Sequence, residues 1–210
     1  REEPDPRVVD RNVYRQHGGY RDGKRQHVDG VDLAIDEVQR VTAGDYDHAN
    51  PEWGNGTTLY YTARRDGDPN DPTAPDPDDS LVHDIVVHDT ETDTAETVTQ
   101  TTGWLPAFSA AADGRIAFRE GDLEPPGPSM RTTDAVVFDS DTGERRNLTT
   151  NFHRRVYRGT RPEWGPDGET LFFLAPDEGT VDLYRVAADG SGEPEAVVEN
   201  AGQVTEFALG

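Results

Sequence analysis

The sequence predicts an all-β chain, and three observations carry that reading. A strand–turn–strand unit occurs three times. Each copy is followed by two further strand-like runs. Turn chemistry separates the runs throughout. The clearest copy spans Arg161 to Leu174 and reads Arg-Pro-Glu-Trp-Gly-Pro-Asp-Gly-Glu-Thr-Leu-Phe-Phe-Leu. Trp164 closes a first strand. In Pro166-Asp167-Gly168 the proline presets φ, the aspartate caps its own backbone and the glycine accepts positive φ. Leu171–Leu174 is then an apolar run of buried-strand length.

The second copy is Pro51-Glu52-Trp53-Gly54-Asn55-Gly56 followed by Thr57–Tyr61, and the third runs from Pro106 to Phe118 through Asp113-Gly114. Pro51, Pro106 and Pro162 are 55 and 56 residues apart. The third strand of each unit is Asp84–Asp89, then Asp134–Asp139, then Asp182–Val186. The fourth is Glu96–Thr99, then Arg146–Thr149, then Glu195–Val198. Asp139–Glu144 and Ala188–Gly192 are hairpin turns ahead of that last strand. A repeat of four strands and roughly 40–55 residues is the signature of a propeller blade, whose faces are buried only against neighbouring blades. The expectation is therefore a β-propeller fragment of about four four-stranded antiparallel blades. A β-sandwich with coincidental hairpins is the alternative, and the constant order within the units argues against it.

Taken in order, residues 1–6 read as a charged linker. Residues 7–44 read as a first, divergent blade, with Gly18–Lys24 as turn material and strands over Val28–Leu33 and Val38–Val41. The second blade covers 45–102, the third 103–150 and the fourth 156–201, with 202–210 starting a further one. Arg64–Asp79 is a long polar loop of the second blade and Gly121–Met130 its counterpart in the third. The chain starts with Arg1 and stops inside the strand-like run Val204–Leu209, so both ends look like cuts through a longer protein. An incomplete ring exposes strand edges, and a homodimer of the fragment through them is expected.

Charge narrows the setting. Forty-two acidic residues oppose 20 basic ones, for a formal charge of -22, and Lys24 is the single lysine. Such a surface repels itself, and salt screens that repulsion, the Debye length falling to about 3 Å at 1 M. The composition therefore suits a salt-rich cytoplasm and points to an extreme halophile. It excludes a basic nucleic-acid stripe. Cysteine is absent, which excludes disulfides and thiolate metal sites. No signal peptide or membrane-length apolar run is present.

No residue is assigned a catalytic, cofactor or metal role. Ser191 lies between Asp189 and Glu193, where a nucleophile elbow needs glycines. Asp66, Asp68 and Asn70 alternate like a calcium loop, but Asp71 and Pro77 break the pattern. His83 and His88, five apart on a strand, fall on opposite faces. The basic cluster Arg145, Arg146, His153, Arg154, Arg155 and Arg158 reads as ion pairs with neighbouring acids, and otherwise as an anion patch. Asn55 and Asn147 head sequons that matter only in a secreted protein.

The Pro-Glu-Trp-Gly-Pro-Asp-Gly pattern resembles the Trp-Ser-Pro-Asp-Gly motif of TolB-like, WD40-like propellers. Ahead of it lie Arg7–Arg11, Tyr14-Arg15, Gly18–Tyr20, His27–Asp29 and Val41–Asp47. In that order they resemble the propeller of acylaminoacyl-peptidase and dipeptidyl-aminopeptidase-like enzymes, in the prolyl oligopeptidase class. The resemblance implies a propeller capping a C-terminal α/β-hydrolase domain. That domain carries the Ser-Asp-His triad, which is absent from this chain, and the propeller restricts access to short peptides. Gly54 and Gly165 depart from the motif's serine. Glu2-Glu3 is similar to an acidic substrate-binding pair, without a surrounding match to support it. The alternative is a TolB-like propeller that acts only as a protein–protein interaction module.

Overall fold

In the computed structural model, sixteen strands and no helix occur among the described residues, which are 15–16, 19–20, 24–64, 80–104, 106–124, 131–157, 159–198 and 202–209. β5 (His48–Trp53), β6 (Thr58–Ala63), β7 (Val82–Asp89) and β8 (Thr94–Thr102) form one sheet in sequence order. β9 (Phe108–Ala110), β10 (Ile116–Gly121), β11 (Thr133–Phe138) and β12 (Arg145–Asn147) form the next. β13 (Glu163–Trp164), β14 (Thr170–Asp177), β15 (Thr180–Ala187) and β16 (Glu195–Val198) form the last. All their registered pairs are antiparallel.

The N-terminal part carries two two-stranded sheets: β1 (Arg15–Gln16) with β2 (Gly19–Tyr20), and β3 (Asp29–Asp32) with β4 (Glu37–Arg40). Gly19–Tyr20, read above as turn material, is thus half of a tight hairpin, paired to Arg15–Gln16.

The chain divides into two compact units, Arg1–Ala49 with Arg64–Ser80, and Asn50–Ala63 with Leu81–Gly210. In the first unit Val28 and Thr42 are buried, and the Thr42 hydroxyl accepts from the Val28 amide. The rings of His27 and His48 stack at 5.4 Å. Val31, Leu33, Ile35 and Val38 are exposed on the β3–β4 hairpin.

The second unit is a stack of the three four-stranded sheets. Strand alternation sends Tyr60 and Ile85 of the first sheet against Phe108, Ile116, Phe118 and Val136 of the second. The opposite face of the second, with Ala117, Ala135, Val137 and Leu148, meets Leu171, Phe173, Tyr184 and Val186 of the third. This is why β10 and β14 read as continuous apolar runs: both faces of each sheet are covered. Phe118, Phe173, Ile116 and Leu171 are fully buried, and each such side chain contributes about 1.5–3 kcal/mol by leaving water. Residues 202–209 run alongside the third sheet, joined by one parallel bridge between Val181 and Gln203, with Val204 and Phe207 on its outer face.

The same turn device recurs. Asp167 Oδ1 accepts from the amides of Glu169 (2.9 Å) and Thr170 (3.0 Å), and Gly168 has a φ of 68°. Asp89 holds Glu91 and Thr92 in the same manner, and Asp139 holds Asp141 and Thr142. Gly54 and Gly165 are explained by the strand that follows. A β-carbon at Gly54 would lie 2.6 Å from the Tyr60 ring, and one at Gly165 3.1 Å from the Phe172 ring. Aromatics at matching positions fill the space a serine would need.

Candidate functional site

The edge strands β5, β9 and β13 converge where the repeats begin, with Pro51 in β5 and Pro106 and Pro162 just ahead of β9 and β13. Asn50 Nδ2 donates to the Pro106 carbonyl (3.2 Å), and Ser109 Oγ donates to the Pro162 carbonyl (2.7 Å). Trp164 Nε1 donates to the Ser109 carbonyl (3.1 Å), and the Arg115 guanidinium covers its indole at 4.8 Å. Successive repeats are therefore stapled through main-chain carbonyls, the groups a sheet edge leaves unpaired.

A cavity of about 560 Å³ opens among these strands, in the size range of small-ligand sites. Its wall includes Asn50, Phe108, Arg119, Arg161, Glu163 and Glu206. Asn50 sits at a φ of 53°, uncommon outside glycine but favoured by asparagine. Buried Arg119 is satisfied by the carbonyls of Tyr157 (2.9 Å) and Thr160 (3.1 Å). Beside the wall, Glu52 Oε1 accepts from the Ala110 amide (3.1 Å) and Glu52 Oε2 pairs with Arg161 Nη1. Burial pushes the Glu52 carboxyl above its ordinary value, against the lowering pull of the Ala110 amide and Arg161.

A second, wider groove of about 780 Å³ runs over the third sheet, with Phe152, Arg154, Asp177 and Tyr184 among its lining. Arg154 pairs with Asp177 at 2.8 Å and lies 5.2 Å over the Phe152 ring. Tyr184 OH donates to Asp177 Oδ2 (3.1 Å). Burial first, then that hydrogen bond, push the phenol up to about 12. This is packing chemistry: Phe152, Phe173 and Tyr184 form one aromatic cluster.

The residues singled out in the sequence are dispersed. His83 Nε2 contacts the Gly103 carbonyl (3.1 Å) and His88 Nε2 contacts Asp93 (3.1 Å), so the two imidazoles serve different loops. Arg145 pairs with Glu120, Arg146 with Glu144 and Arg154 with Asp177, while Arg155 donates to the Arg131 carbonyl. Arg145, Arg146 and Arg154 are thus ion-paired. His153 is exposed at a φ of 56°. Ser191 caps a hairpin through its amide on Asp189. Asp66, Asp68, Asn70, Arg158 and Glu2-Glu3 lie outside the described residues. Among the described residues no three His, Asp or Glu side chains gather as metal ligands, and no helix is long and apolar enough to cross a membrane. Sequence reasoning missed Glu52 and Arg161. The available signal was Pro-Glu-Trp itself, which puts glutamates 52 and 163 at one position of the repeat.

No protein-family model matches the chain, and no curated protein matches it. Solved structures do. TolB from Acinetobacter baumannii superposes with a TM-score of 0.58 at 16% identity, over 83% of this chain and 38% of TolB. The chain is a β-propeller fragment. Acylaminoacyl peptidase from Pyrococcus horikoshii superposes with a TM-score of 0.59 at 14% identity, over 100% of this chain and 30% of the peptidase. A puromycin-hydrolyzing peptidase from Mycobacterium tuberculosis gives 0.58 at 15% identity, over 86% of this chain and 29% of that one. The propeller fragment therefore spans well under half the length of each of these proteins.

Proposed function

We propose that this fragment belongs to the propeller of a prolyl-oligopeptidase-type serine peptidase. On this reading it gates the access of short peptides to a C-terminal α/β-hydrolase domain of the same polypeptide. The observation that carries the proposal is coverage: the likeness to the Pyrococcus acylaminoacyl peptidase takes in 100% of the chain, against 83% for TolB. The acid-rich, lysine-poor composition supports a salt-rich cytoplasm as the working medium.

The test is labelling of the full-length gene product with a serine-directed fluorophosphonate at high salt, with this 210-residue chain beside it. Labelling of the full-length protein alone, at a serine C-terminal to Gly210, is expected. No labelling of the full-length protein would move the assignment to a TolB-like interaction module. Labelling of the 210-residue chain would contradict both readings.

A further inference from the structure

Glu52 occupies an unusual position in the stack. Its carboxylate is reached from two other sheets, by the Ala110 amide at the end of β9 and by the Arg161 guanidinium just ahead of β13. Those partners are 58 and 109 residues away in sequence. One carboxylate thus joins the first, second and third sheets where their edge strands converge. The Glu52 side chain is 17% exposed, whereas Arg161 is 45% exposed and stands on the cavity wall. Arg161 also has a second partner, Glu163 Oε1, at 3.6 Å from its Nε.

We propose that the Glu52 carboxylate, shared between Ala110 N and Arg161, is a releasable clasp that ties three sheets together beside the cavity. The arrangement has two states. In the closed state Arg161 is shared by Glu52 and Glu163. In the open state Arg161 keeps Glu163 alone, and Glu52 holds only the Ala110 amide or turns to water. The other charged groups around the cavity are Arg119, held by two carbonyls, and Glu206 on the C-terminal run. Neither replaces Arg161 as a described partner of Glu52. Desolvation of Glu52 keeps the closed state from being deeply stable, because it offsets the attraction of an Arg161 that still faces water. The same physics makes removal of one partner worse than removal of both. Glu52 and Arg161 belong to neither sheet core, although Ala110 packs against the one that holds Phe118, so opening the clasp leaves the buried faces of the blades in place. This inference concerns the chain itself and holds whether or not a hydrolase domain follows.

The test is amide hydrogen exchange on the whole chain, with Ala110 as the reporter and Leu174 and Val186 as controls. Arg161→Met leaves Glu52 buried without its cation, and Ala110 exchange is expected to quicken by about tenfold, the effect of one lost charge-assisted contact. Glu52→Gln keeps the volume and an acceptor for Ala110, and the change is expected to stay within about threefold. The double variant is expected to return Ala110 close to the Glu52→Gln rate. Leu174 and Val186 should hold their protection in all three. Arg161→Lys, which keeps the charge, is the fallback if the methionine variant fails to fold, with a smaller change in the same direction. Unchanged exchange at Ala110 in Arg161→Met would overturn the clasp. So would equal loss at all three amides, or a double variant as fast as Arg161→Met alone.

Discussion

Phe118→Ala probes the stacking of blades where it is most exposed to failure. Phe118 is fully buried between the first and second four-stranded sheets, against Ile85, Phe108, Ile116 and Val136. The Arg145 guanidinium closes the site at 4.9 Å from the ring. Truncation removes the ring's transfer energy and leaves a cavity that rigid sheets cannot collapse, a loss of about 3–5 kcal/mol. For a chain of this size each kcal/mol moves Tm by roughly 2–4 °C, so the expected drop is about 6–20 °C. Urea and thermal unfolding followed by circular dichroism, at one fixed salt concentration, read it directly. Leu33→Ala is the control: at 91% exposure it should change stability by no more than about 0.5 kcal/mol. A Phe118→Ala loss below about 1 kcal/mol, comparable with that control, would refute sheet-on-sheet burial as the source of stability.

Other outcomes follow from the same geometry. Backbone and side-chain hydrogen bonds hold the Asp89, Asp167 and Asp189 carboxyls below their ordinary value. Their stabilising contribution is present above the unfolded value and is lost as pH falls through the folded one, so Asp167→Asn should flatten the acid limb of a Tm-against-pH curve. Glu52 has the opposite sign. Its carboxyl is raised by burial, so its contribution is present below the unfolded value and lost as pH rises through the folded one. Glu52→Gln should therefore be neutral or stabilising at pH 7, measured by urea unfolding at pH 4 and pH 7. Ultraviolet titration should find one tyrosine ionising at about 12, and Tyr184→Phe should abolish that step. Gly54→Ala puts a methyl 2.6 Å from the Tyr60 ring and should cost about 1–3 kcal/mol in thermal unfolding, as overpacking does.

What could be read from sequence was local or periodic. Pro166-Asp167-Gly168 announces a turn because the three residues act within one another's reach. The period of two puts His83 and His88 on opposite faces of their strand. The repeat order gave the three four-stranded sheets, since a hairpin with two apolar faces has no other way to bury both. The short pairing of Gly19–Tyr20 with Arg15–Gln16 escaped, because two-residue strands leave no pattern to count. The clasp escaped for another reason. Glu52 and Arg161 are 109 residues apart, and only the convergence of the edge strands brings them together. Arg161 also reads as one more charged residue in a highly charged chain. Gly54 and Gly165 looked like drift from a serine motif, and their reason lies in Tyr60 and Phe172 on the next strand.

The gating claim is tested most directly by hydrolysis of a peptide ladder with the full-length gene product at high salt. Substrates would range from aminoacyl and acyl-aminoacyl chromophores to chains of about 30 residues, long enough to exceed a cavity in the small-ligand range. The account expects turnover of the short members, a steep fall with length, and loss of all activity with a serine-directed inhibitor. Hydrolysis that is indifferent to length, or absent across the ladder, would contradict it.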